Sequence, residues 1–112
     1  MDNARKKALQ QAYREKKQLF GVYAVRCAPA GKVFVAASRN LDKQQNSLFF
    51  QLRAGGHPNK NLQALWNAHG EQGFAFDALE EVTDENPLLI DGLLKDRTAH
   101  WLKALNAEPV IG

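Results

Sequence analysis

Apolar positions along the chain switch between a period of two and a period near three and a half, and each switch marks a new element. Residues 3–18 are built almost wholly from Ala, Gln, Lys, Arg and Glu, good helix formers, with Leu9, Ala12 and Tyr13 as the few packing positions. A helix with a narrow apolar face is expected there. Leu19–Cys27 (LFGVYAVRC) and Lys32–Ala37 (KVFVAA) are rich in β-formers and partly alternate, so they read as strands. The four residues Ala28-Pro29-Ala30-Gly31 between them predict an antiparallel hairpin. Ser38-Arg39-Asn40 ends the second strand, with Asn40 as the expected cap of the next helix. In Leu41–Arg53, Leu41, Leu48, Phe49 and Leu52 fall on one helical face.

Gly55-Gly56-His57-Pro58 breaks the chain, and Asn59 is placed to cap a helix carrying Leu62, Leu65, Trp66 and His69 at i, i+3, i+4 and i+7. Gly70 stands where a helix-terminating glycine belongs. Phe74, Phe76 and Leu79 begin a third strand that continues to Val82. Asn86-Pro87 opens the last helix, whose buried face is expected to carry Ile90, Leu94, Trp101, Leu102 and Leu105. The order is α-β-β-α-α-β-α. It predicts an α/β (α+β) fold: a small three-stranded, antiparallel-containing sheet flanked by helices. The expected organisation is a basic helical extension over 1–18 and one domain over 19–112.

A chain of 112 residues supports one core. Its single cysteine, Cys27, excludes an internal disulfide and a cysteine-based zinc site, and it is expected to be inert. The three histidines have no metal-ligand spacing. No stretch approaches the length of apolar chain that spans a bilayer, and the first residues contain no apolar signal region. The expectation is a cytoplasmic protein with no membrane contact. Charge is unevenly distributed: residues 1–60 hold 12 Lys/Arg against 3 Asp/Glu, and residues 61–112 hold 3 against 9. A polyanion is therefore a more plausible partner for the first half, with a solvated basic helix as the plainer alternative.

Gly21-Val22-Tyr23, then Gly31-Lys32-Val33-Phe34-Val35-Ala36-Ala37-Ser38-Arg39-Asn40-Leu41, resemble the paired motifs of the GIY-YIG nucleases. Gly56-His57-Pro58-Asn59-Lys60, Leu62-Gln63 and Trp66-Asn67-Ala68-His69-Gly70 continue the resemblance. So do Phe74, Phe76, Leu79-Glu80-Glu81-Val82, Trp101-Leu102-Lys103 and Leu105-Asn106. It covers about residues 19–107 and leaves out the leading helix.

The resemblance implies a division of labour. A glutamate on the last helix holds a divalent metal, two tyrosines flank the attacking water, and an arginine on the helix after the second strand binds the scissile phosphate. Carried onto this chain, the first tyrosine is Tyr23. The second is Phe34, which has no hydroxyl, and the glycine after it is Ala36. The arginine position is Gln44, a neutral amide without a cationic fork. The glutamate position is Thr98, a weak neutral ligand for Mg²⁺. His57 lies where relatives place a polar site residue.

Among neighbours, Asp91 shares the helical face of Thr98 about 10 Å away along the axis, whereas Asp96 points elsewhere. With its partners replaced, Tyr23 is read as a strand anchor before a site residue, and His57 equally as a phosphate ligand or an exposed loop histidine. His69 is expected to be packed and His100 at the surface, Phe34 and Trp66 in the core, and Gln63 and Asn67 hydrogen-bonded at i, i+4.

The expectation is a catalytically inactive GIY-YIG-fold protein with no metal site or other cofactor, Mg²⁺ being needed only if it cleaves. DNA or RNA is the expected partner, through Lys6, Lys7, Lys16, Lys17, Arg39, Lys43 and Lys60. Two alternatives stay open: an active metal-dependent endonuclease with a rearranged site, and a protein-interaction module.

Overall fold

The computed structural model describes residues 19–84 and 86–110. The elements are β1 (Phe20–Cys27), β2 (Lys32–Ser38), α1 (Leu41–Ala54), α2 (Lys60–His69), β3 (Phe74–Val82), α3 (Ile90–Ala104) and β4 (Glu108–Pro109). The basic helix expected over residues 3–18, with Lys6, Lys7, Lys16 and Lys17, lies outside the described residues.

β1 and β2 form the expected antiparallel hairpin, with Tyr23 opposite Ala36 and Val25 opposite Phe34. Its connection is a short 3-10 turn, Ala28–Ala30, closed by Gly31 at φ 65°, a left-handed conformation that favours glycine. β3 pairs antiparallel with the other edge of β1, placing Phe20 opposite Val82, and a register shift interrupts the ladder between Val22 and Tyr23.

The sheet has four strands in the order β3-β1-β2-β4, where three were expected. β4 is only two residues long, one of them a proline, and lies parallel to β2. No periodicity exists over two residues, so nothing in the pattern marks it. Long-range hydrogen bonds hold it: Val110 N donates to Val35 O at 3.1 Å, and Asn59 Nδ2 donates to Pro109 O and Val110 O.

Side chains alternate across the sheet. On one face Tyr23, Val25, Cys27, Phe34 and Phe74 pack with Leu48, Phe49 and Leu52 of α1 and Leu62 and Trp66 of α2. Trp66 meets Phe49 edge-on at 5.1 Å and Phe74 at 5.2 Å between ring centres. On the other face Val22, Ala24 and Val35 receive Trp101, Leu102 and Leu105 from α3 and its end. A third cluster joins Val82, Ile90 and Leu94 with Phe20. The result is helices, sheet, helix, with each sheet face covered by its own apolar stripe. Glu80 of β3 fastens α3 by accepting from Trp101 Nε1 at 2.8 Å and Arg97 Nε at 2.8 Å. These bonds hold its carboxyl below the usual carboxylate range, the Trp101 bond contributing most.

Asn59 caps α2 as expected, its side chain accepting from Leu62 N, and Gly70 ends that helix at φ 74°. Asn40 does not cap α1. Its own N–H donates instead to Ser38 Oγ at 3.0 Å, so the serine organises this junction. Asn86-Pro87 begins a 3-10 turn, Pro87–Leu89, rather than the α-helix itself, which starts at Ile90. No helix among the described residues is long and apolar enough to cross a membrane.

Candidate functional site

The end of β2 and the first turns of α1 face α3 across a groove of about 740 Å³ lined by Ser38, Arg39, Gln44, Asp91, Lys95 and Thr98. Asp91, Lys95 and Thr98 reach it together because they stand at i, i+4 and i+7 on α3, one helical face. The fold therefore brings Gln44 and Thr98, two of the expected site positions, into one cleft with Arg39. Lys95 was not singled out from the sequence, although its spacing from Thr98 was sufficient to place it there.

Among the described residues, each polar group in the groove has a partner, Lys95 aside. Ser38 Oγ donates to Gln44 Oε1 at 2.8 Å, which ties the amide to the strand end. Thr98 Oγ1 donates to Leu94 O at 2.6 Å, one turn back in its own helix. Arg39 and Asp91 form an ion pair across the mouth. This pair joins the loop after β2 to the first turn of α3. Both members are exposed, so it adds little stability.

The remaining expected positions lie elsewhere. Tyr23 is 3% exposed and stacks on Phe76 with ring centres 5.2 Å apart. Burial raises its pKa to about 12, so the hydroxyl stays protonated at neutral pH. Phe34 is buried in the same cluster. Its edge borders a separate cavity of about 440 Å³ formed with Pro58, Asn59, Lys60, Glu108 and Pro109.

His57 is buried rather than an exposed loop histidine: it is 6% exposed, and its Nδ1 accepts from Asn59 N at 3.0 Å. Burial lowers its pKa, outweighing the bond from Asn59. The ring is a neutral brace for the turn entering α2. Gln63 completes that brace, accepting from His57 N and donating to Leu52 O and Asn67 Oδ1. His69 is exposed rather than packed, and His100 is exposed and edge-on to Trp101. Lys43 and Lys60 are exposed, as is Arg39. Lys60 borders the smaller cavity, so it is not part of the groove.

A divalent metal requires several hard oxygen ligands, carboxylates foremost. In the groove Thr98 supplies one neutral hydroxyl, with its proton already donated to the helix, and Asp91 is committed to Arg39. Among the described residues no group of three or more His, Cys, Asp or Glu side chains converges to hold a metal. The donor set does not fit a divalent ion.

No protein-family model matches the chain. It is 31% identical over 88 residues to Intron-associated endonuclease 1 of Enterobacteria phage T4, a match covering 79% of this chain and 34% of that protein. The chain thus spans about a third of the curated relative it matches. Among solved structures it is similar to the catalytic domain of the homing endonuclease I-TevI, at 30% identity and a TM-score of 0.65, covering 78% of this chain and 88% of the other. A glutamate-to-alanine mutant of that catalytic domain matches at 30% identity and a TM-score of 0.66, covering 79% of this chain and 84% of the other. With the fold, the paired strand motifs and these relatives in agreement, the chain belongs to the GIY-YIG nuclease family.

Proposed function

We propose that this domain holds nucleic acid on a GIY-YIG scaffold without hydrolysing it. The observation that carries the reading is that the residues at three family positions are neutral and internally engaged. Gln44 is bound to Ser38, Thr98 to its own helix backbone, and Phe34 is packed in the core. Phosphodiester cleavage develops negative charge on the equatorial oxygens and on the leaving group, and a catalyst must meet it with cations or a metal. Arg39 and Lys95 are the cations of the groove, and Arg39 already faces Asp91. Among the described residues no cluster of carboxylates stands beside them to seat a metal.

The ligand class follows from the relatives, which are endonucleases by name, and from the excess of basic residues in the first half of the chain. Lys43 and Lys60 on the described surface, and Lys6, Lys7, Lys16 and Lys17 before it, are the proposed phosphate-binding residues. The test is incubation of the purified protein with supercoiled plasmid and single-stranded DNA in millimolar Mg²⁺ or Mn²⁺. No nicking is expected. Nicking that co-purifies with the protein and vanishes in Tyr23→Phe would establish the other reading, an active enzyme with a rearranged site.

A further inference from the structure

We infer that the basic segment 3–18 docks on its own domain, over the exposed leucines of the turn Pro87–Leu89. Leu88 is 87% and Leu89 52% exposed, although the next residue, Ile90, is buried against Val82, Leu94 and Phe20. Exposed leucines are ordinary when scattered. These two adjoin a core cluster that includes Phe20, one residue after Leu19, so the patch borders the place where the preceding segment joins the domain.

Charge supports the same occupant. Residues 81–91 contain four acidic residues and no Lys or Arg, whereas residues 3–18 contain six Lys/Arg and one Glu. Glu81 lies opposite Gly21 in the β1–β3 ladder, and exposed Asp84 follows it before the leucines. In the segment, Leu9, Ala12 and Tyr13 form an apolar stripe at helical spacing. Arg5 and Lys6 precede the stripe, and Lys16 follows it, all within about 60° of Leu9 around a helix. An apolar centre flanked by cations therefore meets two leucines that follow the acids Glu81 and Asp84. Sixteen residues of helix reach about 24 Å, enough to cross the patch from Leu19.

Hydrogen exchange of the full chain, read by mass spectrometry, tests the docking. A lone helix of this length is marginal in water, so backbone protection in residues 8–14 must come from docking. Exchange there is expected to be slowed by about tenfold or more, independently of protein concentration. Leu88→Ser with Leu89→Ser should abolish that protection while leaving β1 and β3 protected. Glu81→Gln with Asp84→Asn should weaken it and remove its salt dependence. Unprotected residues 8–14 in the wild type, or protection unchanged in the leucine variant, would overturn the inference. Protection that grows with concentration would overturn it too, assigning the patch to a second copy.

Discussion

Ser38 donates its hydroxyl to the side-chain oxygen of Gln44 at 2.8 Å, linking the last residue of β2 to the first turns of α1. The same serine accepts from Asn40 N at 3.0 Å. One buried hydroxyl thus fixes the strand-to-helix junction and ties down the side chain at the family's phosphate-binding position. An arginine there has no acceptor with which to receive the serine proton.

Gln44→Arg should therefore raise the affinity for duplex DNA while costing about 1 kcal/mol of stability, the worth of one hydrogen bond. The log–log salt slope should steepen by ~0.9 if the new guanidinium takes one phosphate. Cleavage should remain absent, because Thr98 still offers no carboxylate. Fluorescence anisotropy at several salt concentrations measures the first effect, and urea denaturation the second. An unchanged slope would mean that position 44 does not face the nucleic acid.

Gly21, the glycine of the first motif, has a steric cause. A Cβ there would lie 2.3 Å from Glu80 O and 2.7 Å from the Leu41 side chain. The carbonyl belongs to the paired strand and cannot swing aside. Gly21→Ala is expected to destabilise the domain by about 3 kcal/mol, the upper part of the range for overpacking, seen as a lower urea midpoint with unchanged slope.

The first tripeptide of the resemblance was thus legible because steric need preserves it. The helix faces of Leu48, Phe49, Leu52, Leu62 and Trp66 were legible because burial imposes a period. β4 was not, since a two-residue strand is made by tertiary bonds from Asn59 and Val35. His69 shares the apolar spacing of α2 but stands in its last turn, where it is exposed. His57 looked like an exposed turn residue because its acceptor role depends on how the Gly55-Gly56-His57-Pro58 turn folds back. Gln44 and Thr98 were located by their places relative to the motifs, but their internal bonds to Ser38 and Leu94 required coordinates.

His57 predicts a pH dependence. Its pKa is lowered by burial from an ordinary 6.5, so the unfolded chain takes up the proton first as pH falls. The stabilisation by the neutral ring is complete above about 6.5 and is lost as pH falls from there toward the folded value. His57→Asn keeps an acceptor for Asn59 N without titrating. The wild type should lose thermal stability between about pH 7.5 and pH 5.5 by more than the variant does; equal losses would place the proton elsewhere.

The last prediction concerns which cations meet phosphate. Arg39 is paired with Asp91, and Lys60 borders the cavity beside Glu108 and Pro109, apart from the groove. Under the proposed function, the basic segment carries most of any polyanion binding. Replacing Lys6, Lys7, Lys16 and Lys17 with Gln should lower the magnitude of the salt slope by up to ~0.9 for each duplex phosphate that is no longer neutralised. The four are not equivalent if the segment docks as inferred. Lys6 and Lys16 would then turn toward the acidic patch, whereas Lys7, about 160° from Leu9 around a helix, would face outward. Lys7→Gln should consequently reduce the slope more than Lys6→Gln or Lys16→Gln. Equal effects would remove the docked geometry from the binding mode, and no binding at low salt would leave protein interaction as the role of this domain.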